Sequence, residues 1–565
     1  MDKKNSEKTA AELYREERKK RLEKAAKKNS KNTPELAQFK RGLSKFVAIV
    51  LVAAIVLGCL YGVLSFFGVP QKALTVSTVD GGSMKSAKNS VAKFNYYYVY
   101  TYQQMANTAY QYDQQYGEGM GKMYTGFDYT LAPDVQEYTT STLEGFEDGQ
   151  TAYWSDYLRI TVLKNLKETA ASYMEAVNAG YKLTEEQQKD IDDTIAQFRD
   201  AAKESDFSLN RFLIYRFGKG VDEKLLREIL EENQVAQSYL TDKYNEIKDA
   251  QTDDAVEKEF KENIKDYGLV SLRYFVVSSD AEITDEMTDD EKQAAQDAAN
   301  EKAKKTADAA LKTITDEESF LAAAKAAADK ATSFSEESTL LEGTTYSSLQ
   351  STFGTNTADW AFDGARKVGE SAVIEGNDKY IVAFMVKLPY KDETVPVNVR
   401  HILFQFATDS NGTVTMTDDE KAELKKQAED VLAQFNENPS EDAFIELAAQ
   451  YSEDEGSKNN GGLIENITPT SNYVTNFRDW AVDKSRKVGD AEIVETEYGY
   501  HIMYFSGKSD KAVWYETVQT ALADTQFENE YNDMLAKHPT KENAKIIDWG
   551  MKIINKHIND YWISH

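Results

Sequence analysis

Cysteine is almost absent: Cys59 is the only one in 565 residues, which excludes intramolecular disulfides and cysteine-rich zinc sites. Histidine is scarce too; five leave little material for a multi-histidine metal centre. Eight prolines and 29 glycines exclude a collagen-like or proline-rich chain. Basic charge is also short. The 66 Lys and Arg face 95 Asp and Glu, a net −29, which argues against nucleic acid as the main partner. What remains is 41% hydrophobic and 28% charged, a composition that buries real cores. The length allows three or four domains at roughly 100–200 residues each.

The charge is unevenly placed. Residues 1–45 hold 15 Lys and Arg against 7 Asp and Glu, a net +8, so the remainder carries −29 − 8 = −37. Between them Phe46 to Gly68 forms 23 residues without a charge. As a helix at about 1.5 Å per residue this run crosses the roughly 30 Å hydrocarbon core. Lys40, Arg41 and Lys45 precede it, so the positive-inside rule puts the amino terminus in the cytoplasm and residues 69–565 outside. The expectation is a single-pass cell-membrane protein with a basic cytoplasmic tail, 1–45, and a transmembrane helix, 46–68. Val56-Leu57-Gly58-Cys59 offers a competing lipoprotein reading with a lipidated Cys59; the apolar run continuing from Leu60 to Val69 disfavours it.

The chain repeats itself. Asp359–Glu375 and Asp479–Glu495 are identical at 9 of 17 positions with an offset of 120. Met-Thr-Asp-Asp-Glu-Lys occurs at 287–292 and 416–421, and Leu272–Val277 parallels Val399–Phe404. Three landmarks in one order mean two copies of one domain, placed at 267–390 and 396–508. Each reads β-α-α-loop-α-β-β, a compact α+β domain. In the second, Thr417 and Glu420 form a capping box, and Ala428, Val431, Leu432 and Phe435 give a helical stripe. Phe444, Leu447, Ala448 and Tyr451 stripe the next helix, followed by a glycine-containing loop at 453–462, a short helix around 473–484, and strands near 491–495 and 500–506.

Residues 70–266 read as a mainly helical module. It is rich in tyrosine, with Tyr96, Tyr97, Tyr98, Tyr100, Tyr102, Tyr110, Tyr112 and Tyr116 in close order. Such residues suit either a helical core or a half-wet surface adaptable to unfolded clients. Residues 509–565 form a C-terminal helical segment, with an amphipathic helix over 511–537 that folds back on the first helices.

Two histidines, His401 and His501, lie in the outer β-segments of the second copy, where the fold can bring them together. Residues 396–508 resemble a parvulin-type peptidyl-prolyl cis–trans isomerase. The resemblance rests on Val399-Arg-His401-Ile-Leu403, Phe444 to Asp454, Gly456-Ser457, Gly461-Gly462, Phe477 and Tyr498-Gly-Tyr-His501-Ile502. The layout of 70–537 resembles membrane-tethered bacterial foldases of the PrsA, SurA and PpiD type, which join a helical chaperone module to parvulin domains. The resemblance implies His401, Asp454, Thr496 and His501 as the catalytic network, and Ile464, Tyr473 and Phe477 as the proline pocket. It implies a reaction needing no metal or cofactor. The family's Gly-Gly-Asp-Leu-Gly reads Gly-Gly-Leu-Ile-Glu here, and a common pocket methionine is Tyr473.

In the first copy Tyr274 replaces His401, and at the offset of 120 Ile381 and Gly376 replace His501 and Thr496. That copy is expected to keep the fold and lack the activity. The function expected is a peptidyl-prolyl isomerase and folding factor for secreted or extracytoplasmic chains, its partners unfolded or partly folded polypeptides. The alternative is a membrane-anchored chaperone or scaffold whose parvulin-like domains bind without catalysis. A hydrolase is disfavoured, because neither a G-x-S-x-G elbow nor an HExxH motif occurs.

Overall fold

The computed structural model describes residues 10–30, 68–147, 149–284, 287–328, 334–376, 379–409 and 412–563. They divide into two compact units, one built from the chain up to Lys243 with Asn529–His565, the other from Tyr244–Glu528. The α+β character holds, but the expected transmembrane helix requires correction: among the described residues no helix is long and apolar enough to cross a membrane. Except for Gly68, the run expected to span, 46–68, lies outside those residues, as does Cys59.

In the first unit, helices Val91–Tyr116, Trp154–Asn178, Glu185–Glu204 and Leu209–Phe217 surround a core that includes Phe94, Tyr98, Leu158, Leu166, Ile195 and Leu213. Ser90 caps the first of these by accepting the Lys93 N–H at 3.1 Å, and Thr184 with Gln187 closes a capping box on the third. The chain's end returns to this core: Ile547, Ile554 and Ile558 of helix Ala544–Ile558 are buried in it, and the Tyr98 hydroxyl donates to Asn555 Oδ1 at 2.7 Å. Three short strands the sequence reading lacks, β1 (Thr75–Val79), β2 (Ala87–Ser90) and β11 (Thr540–Glu542), form an antiparallel sheet in the order β11-β1-β2. At three to five residues, none is long enough to display period-2 alternation.

The second unit holds two four-stranded antiparallel sheets of the same plan. The first consists of β3 (Leu269–Ser278), β4 (Leu340–Thr345), β5 (Ser371–Gly376) and β6 (Lys379–Tyr390), in the order β4-β3-β6-β5. The second consists of β7 (Val397–Gln405), β8 (Leu463–Ile467), β9 (Ala491–Thr496) and β10 (Gly499–Lys508), in the order β8-β7-β10-β9. The strand register reproduces the sequence offsets. Tyr274 pairs with Ala383 as His401 pairs with Met503, and Val276 pairs with Ile381 as Leu403 pairs with His501.

Alternation along β7 and β10 sends side chains to opposite faces. Ile402, Phe404, Tyr500, Ile502 and Tyr504 pack under helices Asp418–Glu437 and Glu441–Tyr451. Val397, Val399, Met503 and Phe505 pack under the short helix Thr475–Val482 through Phe477, Trp480 and Ala481. His401 and His501 belong by parity to this second face, so they prolong the small core around Phe477.

Candidate functional site

The site lies on the two central strands. His401 and His501 are each 5% exposed, and their Nδ1 atoms are 3.1 Å apart. His401 Nε2 lies 2.9 Å from Asp454 Oδ2 and 3.0 Å from Ser457 Oγ. His501 Nε2 lies 2.9 Å from Thr496 Oγ1, which accepts the Tyr498 N–H at 3.1 Å. One assignment of protons satisfies every neutral group, and it is inferred from partners. An ionised Asp454 only accepts, so His401 donates from Nε2. Its Nδ1 then accepts from His501 Nδ1–H, and His501 Nε2 accepts the Thr496 hydroxyl.

The electrostatics agree. The hydrogen bond from His401 holds the Asp454 carboxyl well below the usual carboxylate range, aided by Ser457 and the Gly456 N–H and opposed by partial burial. Burial first, and then the neighbouring His401, push His501 down from 6.5 to about 3, so it is neutral at ordinary pH.

Phe477 roofs the pair. Its ring centroid is 5.3 Å from that of His401 and 5.4 Å from that of His501, both edge-on. Ile464, on β8, packs against the same core. Tyr473 is less enclosed: it is 41% exposed and touches the site through Phe477, at 5.5 Å between ring centroids. A cavity of about 340 Å³ beside the network is lined by Tyr473, Asn476, Thr496 and Glu497. The fold thus brings His401, Asp454, Thr496 and His501 into one chain of hydrogen bonds and sets Ile464, Phe477 and, at the rim, Tyr473 around it.

Sequence reasoning missed two contributors. Ser457 donates to Asp454 Oδ2 at 2.5 Å while facing His401. Its signal was its place three residues after Asp454, where the turn hydrogen-bonds back on itself through Ser457 N–H to Asp454 O. Arg400 ties the loop to the sheet, donating to Glu441 Oε1 at 2.8 Å and to the Asn460 and Gly461 carbonyls at 2.9 and 3.1 Å. The repeat held that signal: Arg273 binds Glu317 Oε1 at 2.6 Å and the Glu336 carbonyl at 2.8 Å in the first copy.

Among the described residues the first copy shows no such network. Tyr274 occupies the place of His401, with the Phe353 ring 4.7 Å from it. Phe353 ends helix Tyr346–Phe353 and is buried, whereas position 473, 120 residues on, is an exposed tyrosine outside any helix.

Residues 384–509 match the family model of the PPIC-type PPIASE domain. The chain is 30% identical over 184 residues to foldase protein PrsA 1 of Bacillus cereus, a match covering 29% of this chain and 60% of that protein. It is 32% identical over 138 residues to foldase protein PrsA of Geobacillus kaustophilus, covering 24% and 46%. The chain therefore spans about half the length of these relatives. A crystal structure of PrsA from Bacillus subtilis aligns with 73% of this chain and 90% of its own at 14% identity, with a TM-score of 0.21, too low to establish a shared arrangement. Residues 384–509 are a parvulin-type peptidyl-prolyl isomerase domain, in a chain that resembles the PrsA foldases.

Proposed function

We propose that this protein is a peptidyl-prolyl cis–trans isomerase and folding factor that acts through residues 396–508 on X–Pro bonds of unfolded polypeptides outside the cytoplasm. The observation that carries the reading is the unbroken chain Asp454–His401–His501–Thr496 beneath Phe477. Support also comes from the isomerase family match and from relatives named foldases.

The uncatalysed barrier to rotation is about 18–20 kcal/mol, because the planar amide is stabilised by conjugation. A dry pocket formed by Phe477 and Ile464 holds the proline ring and disfavours the charge-separated planar form, while polar groups favour the twisted one. Asp454 serves as an acceptor rather than a nucleophile: Oδ2 already takes His401 and Ser457, and Oδ1 takes the Gly456 N–H at 3.3 Å. The ordered histidines hold the wall of the pocket in one orientation. Residues 70–266 act as a helical chaperone-like module, and 267–390 as a parvulin-like copy without activity, in keeping with Tyr274, Ile381 and the inserted Phe353.

X–Pro exchange by the full chain tests this reading, comparing wild type with His501→Ala and Asp454→Ala. Both variants should lose most of the rate. A wild-type rate equal to buffer would support binding without catalysis, the reading favoured by the altered Gly461-Gly-Leu-Ile-Glu465 loop.

A further inference from the structure

Between Lys93 and Arg159 the sequence has nine carboxylates, 13 tyrosines and a single cation, Lys122. The structure divides those tyrosines. Tyr96, Tyr97, Tyr98 and Tyr102 are core residues, but Tyr112, Tyr116 and Tyr124 gather at the far end of helix Val91–Tyr116, on the surface. Their ring centroids lie 6.0, 5.1 and 5.8 Å apart, pair by pair. Tyr116 is 54% exposed, Tyr124 57%, and Met123 beside them 73%.

The cluster stands on a braced turn. After Gly117 the chain reverses into the short helix Met120–Thr125. Asp113 clamps it, accepting the Gly121 N–H at 2.6 Å and the Tyr129 hydroxyl at 2.9 Å. A Cβ on Gly121 would sit 2.0 Å from the Ala109 carbonyl oxygen, so this approach needs glycine. Three rings of one surface are thereby held together before any ligand arrives, which lowers the ordering cost of binding.

The surroundings select the occupant. Lys122, the one Lys or Arg of that stretch, is paired with Asp128 at 3.3 Å, and Glu118 is exposed at the turn. Ring faces are negative and take cations. Exposed aromatic surfaces also take proline rings from extended, polyproline-type segments. We propose that Tyr112, Tyr116 and Tyr124 form a docking platform for extended client segments rich in proline and in lysine or arginine. The platform is separate from the isomerase network and belongs to the other compact unit. It gives the helical unit a preference for the proline-containing chains on which the proposed isomerase works.

The test is fluorescence anisotropy of a labelled peptide alternating proline and lysine, titrated with the full chain. Companion peptides carry glutamate for every lysine, or serine for every proline. Wild type should bind the first peptide, and each replacement should weaken binding at least about tenfold. The triple variant Tyr112→Ser, Tyr116→Ser, Tyr124→Ser should lose about tenfold, and the three Tyr→Phe changes together should stay within about twofold. Serine-variant binding within twofold of wild type, or equal binding of the glutamate peptide, overturns the proposal. If circular dichroism shows the triple variant unfolded, Tyr124→Ser alone is judged on whether binding weakens or stays unchanged. X–Pro exchange on a tetrapeptide is run on the same samples. It should be unchanged by the platform variants, and a matching loss there overturns a separate platform. Absence of exchange in wild type would sink the isomerase reading and leave the anisotropy result standing.

Discussion

At the residue scale, Asp454 holds three donors at once: His401 Nε2–H, the Ser457 hydroxyl and the Gly456 N–H. A hydrogen bond to a charged group contributes about 1.5–3 kcal/mol, less where water reaches it. Ser457→Ala should therefore lower kcat/KM for X–Pro exchange by up to about tenfold, and Ser457→Thr should restore most of it. Asp454→Ala should cost more, since His401 Nε2–H then loses its charged acceptor. The acid side follows from His501. Its folded value, about 3, lies below the ordinary 6.5. Between these values the unfolded chain binds a proton that the folded site refuses, so stability falls as pH drops from 6.5 toward 3 and is insensitive to this group above 6.5. The depressed Asp454 acts with the same sign at still lower pH. Urea midpoints of the second copy, read from His501 ring protons, should fall over that window and level off above it. Midpoints that rise on acidification would contradict the buried, neutral assignment.

At the element scale, the site depends on how the glycine loop meets β7. The His401 N–H donates to the Gly462 carbonyl at 2.8 Å, and Gly462 has φ +72°. A Cβ there would lie 2.2 Å from the His401 carbonyl oxygen. Gly462→Ala must therefore push the loop off the strand that carries His401, and exchange activity should fall at least about tenfold while the first copy's sheet stays intact by hydrogen exchange. The elements show why some of this was legible and some was not. Periodicity and capping revealed the helices: Thr417 accepts the Glu420 N–H at 3.3 Å, and Glu420 reaches back to the Thr417 N–H at 2.7 Å. The histidine pairing was readable because each lay in a recognisable β-run. Strands β4 and β8 were missed: Leu463-Ile-Glu-Asn-Ile467 lacks clean alternation, and Asn466 interrupts it at φ +61°. Tertiary pairing, not local propensity, makes these strands. The helix that buries Phe353 against Tyr274 was also hidden, since no sequence rule says which way a phenylalanine at a helix end will turn. With that ring beside the tyrosine, the first copy should contribute nothing to exchange. His501→Ala in the full chain should then reduce the rate to near background, and substantial residual activity would refute the silence of 267–390.

At the scale of the whole molecule, the chain order differs from the folding units. Residues 244–528 form one unit, and the segment after them completes the other. The ends of the second unit meet within it: the Tyr244 hydroxyl donates to Asp524 Oδ1 at 2.9 Å, and its ring lies 5.6 Å from Phe527. A unit whose ends adjoin can be inserted in another without pulling it apart. The first unit, by contrast, needs residues from both sides of the insertion. Ile547, Ile554 and Ile558 are buried in its core, β11 pairs with β1, and both ring nitrogens of the buried His538 face acceptors, Asp80 O at 2.7 Å and Glu175 Oε1 at 2.9 Å. Burying each isoleucine is worth about 1.5–3 kcal/mol, so the three together rival the 5–15 kcal/mol stability of an ordinary domain. Ending the chain at Glu528 should therefore unfold the first unit, seen as proteolysis within 91–243, while X–Pro exchange by the second unit survives. Replacing 244–528 by a short Gly-Ser linker should do the reverse, leaving a protease-resistant helical unit with no exchange activity. If the chain ending at Glu528 resists proteolysis throughout 91–243, the returning helix is dispensable and the first unit is complete without it.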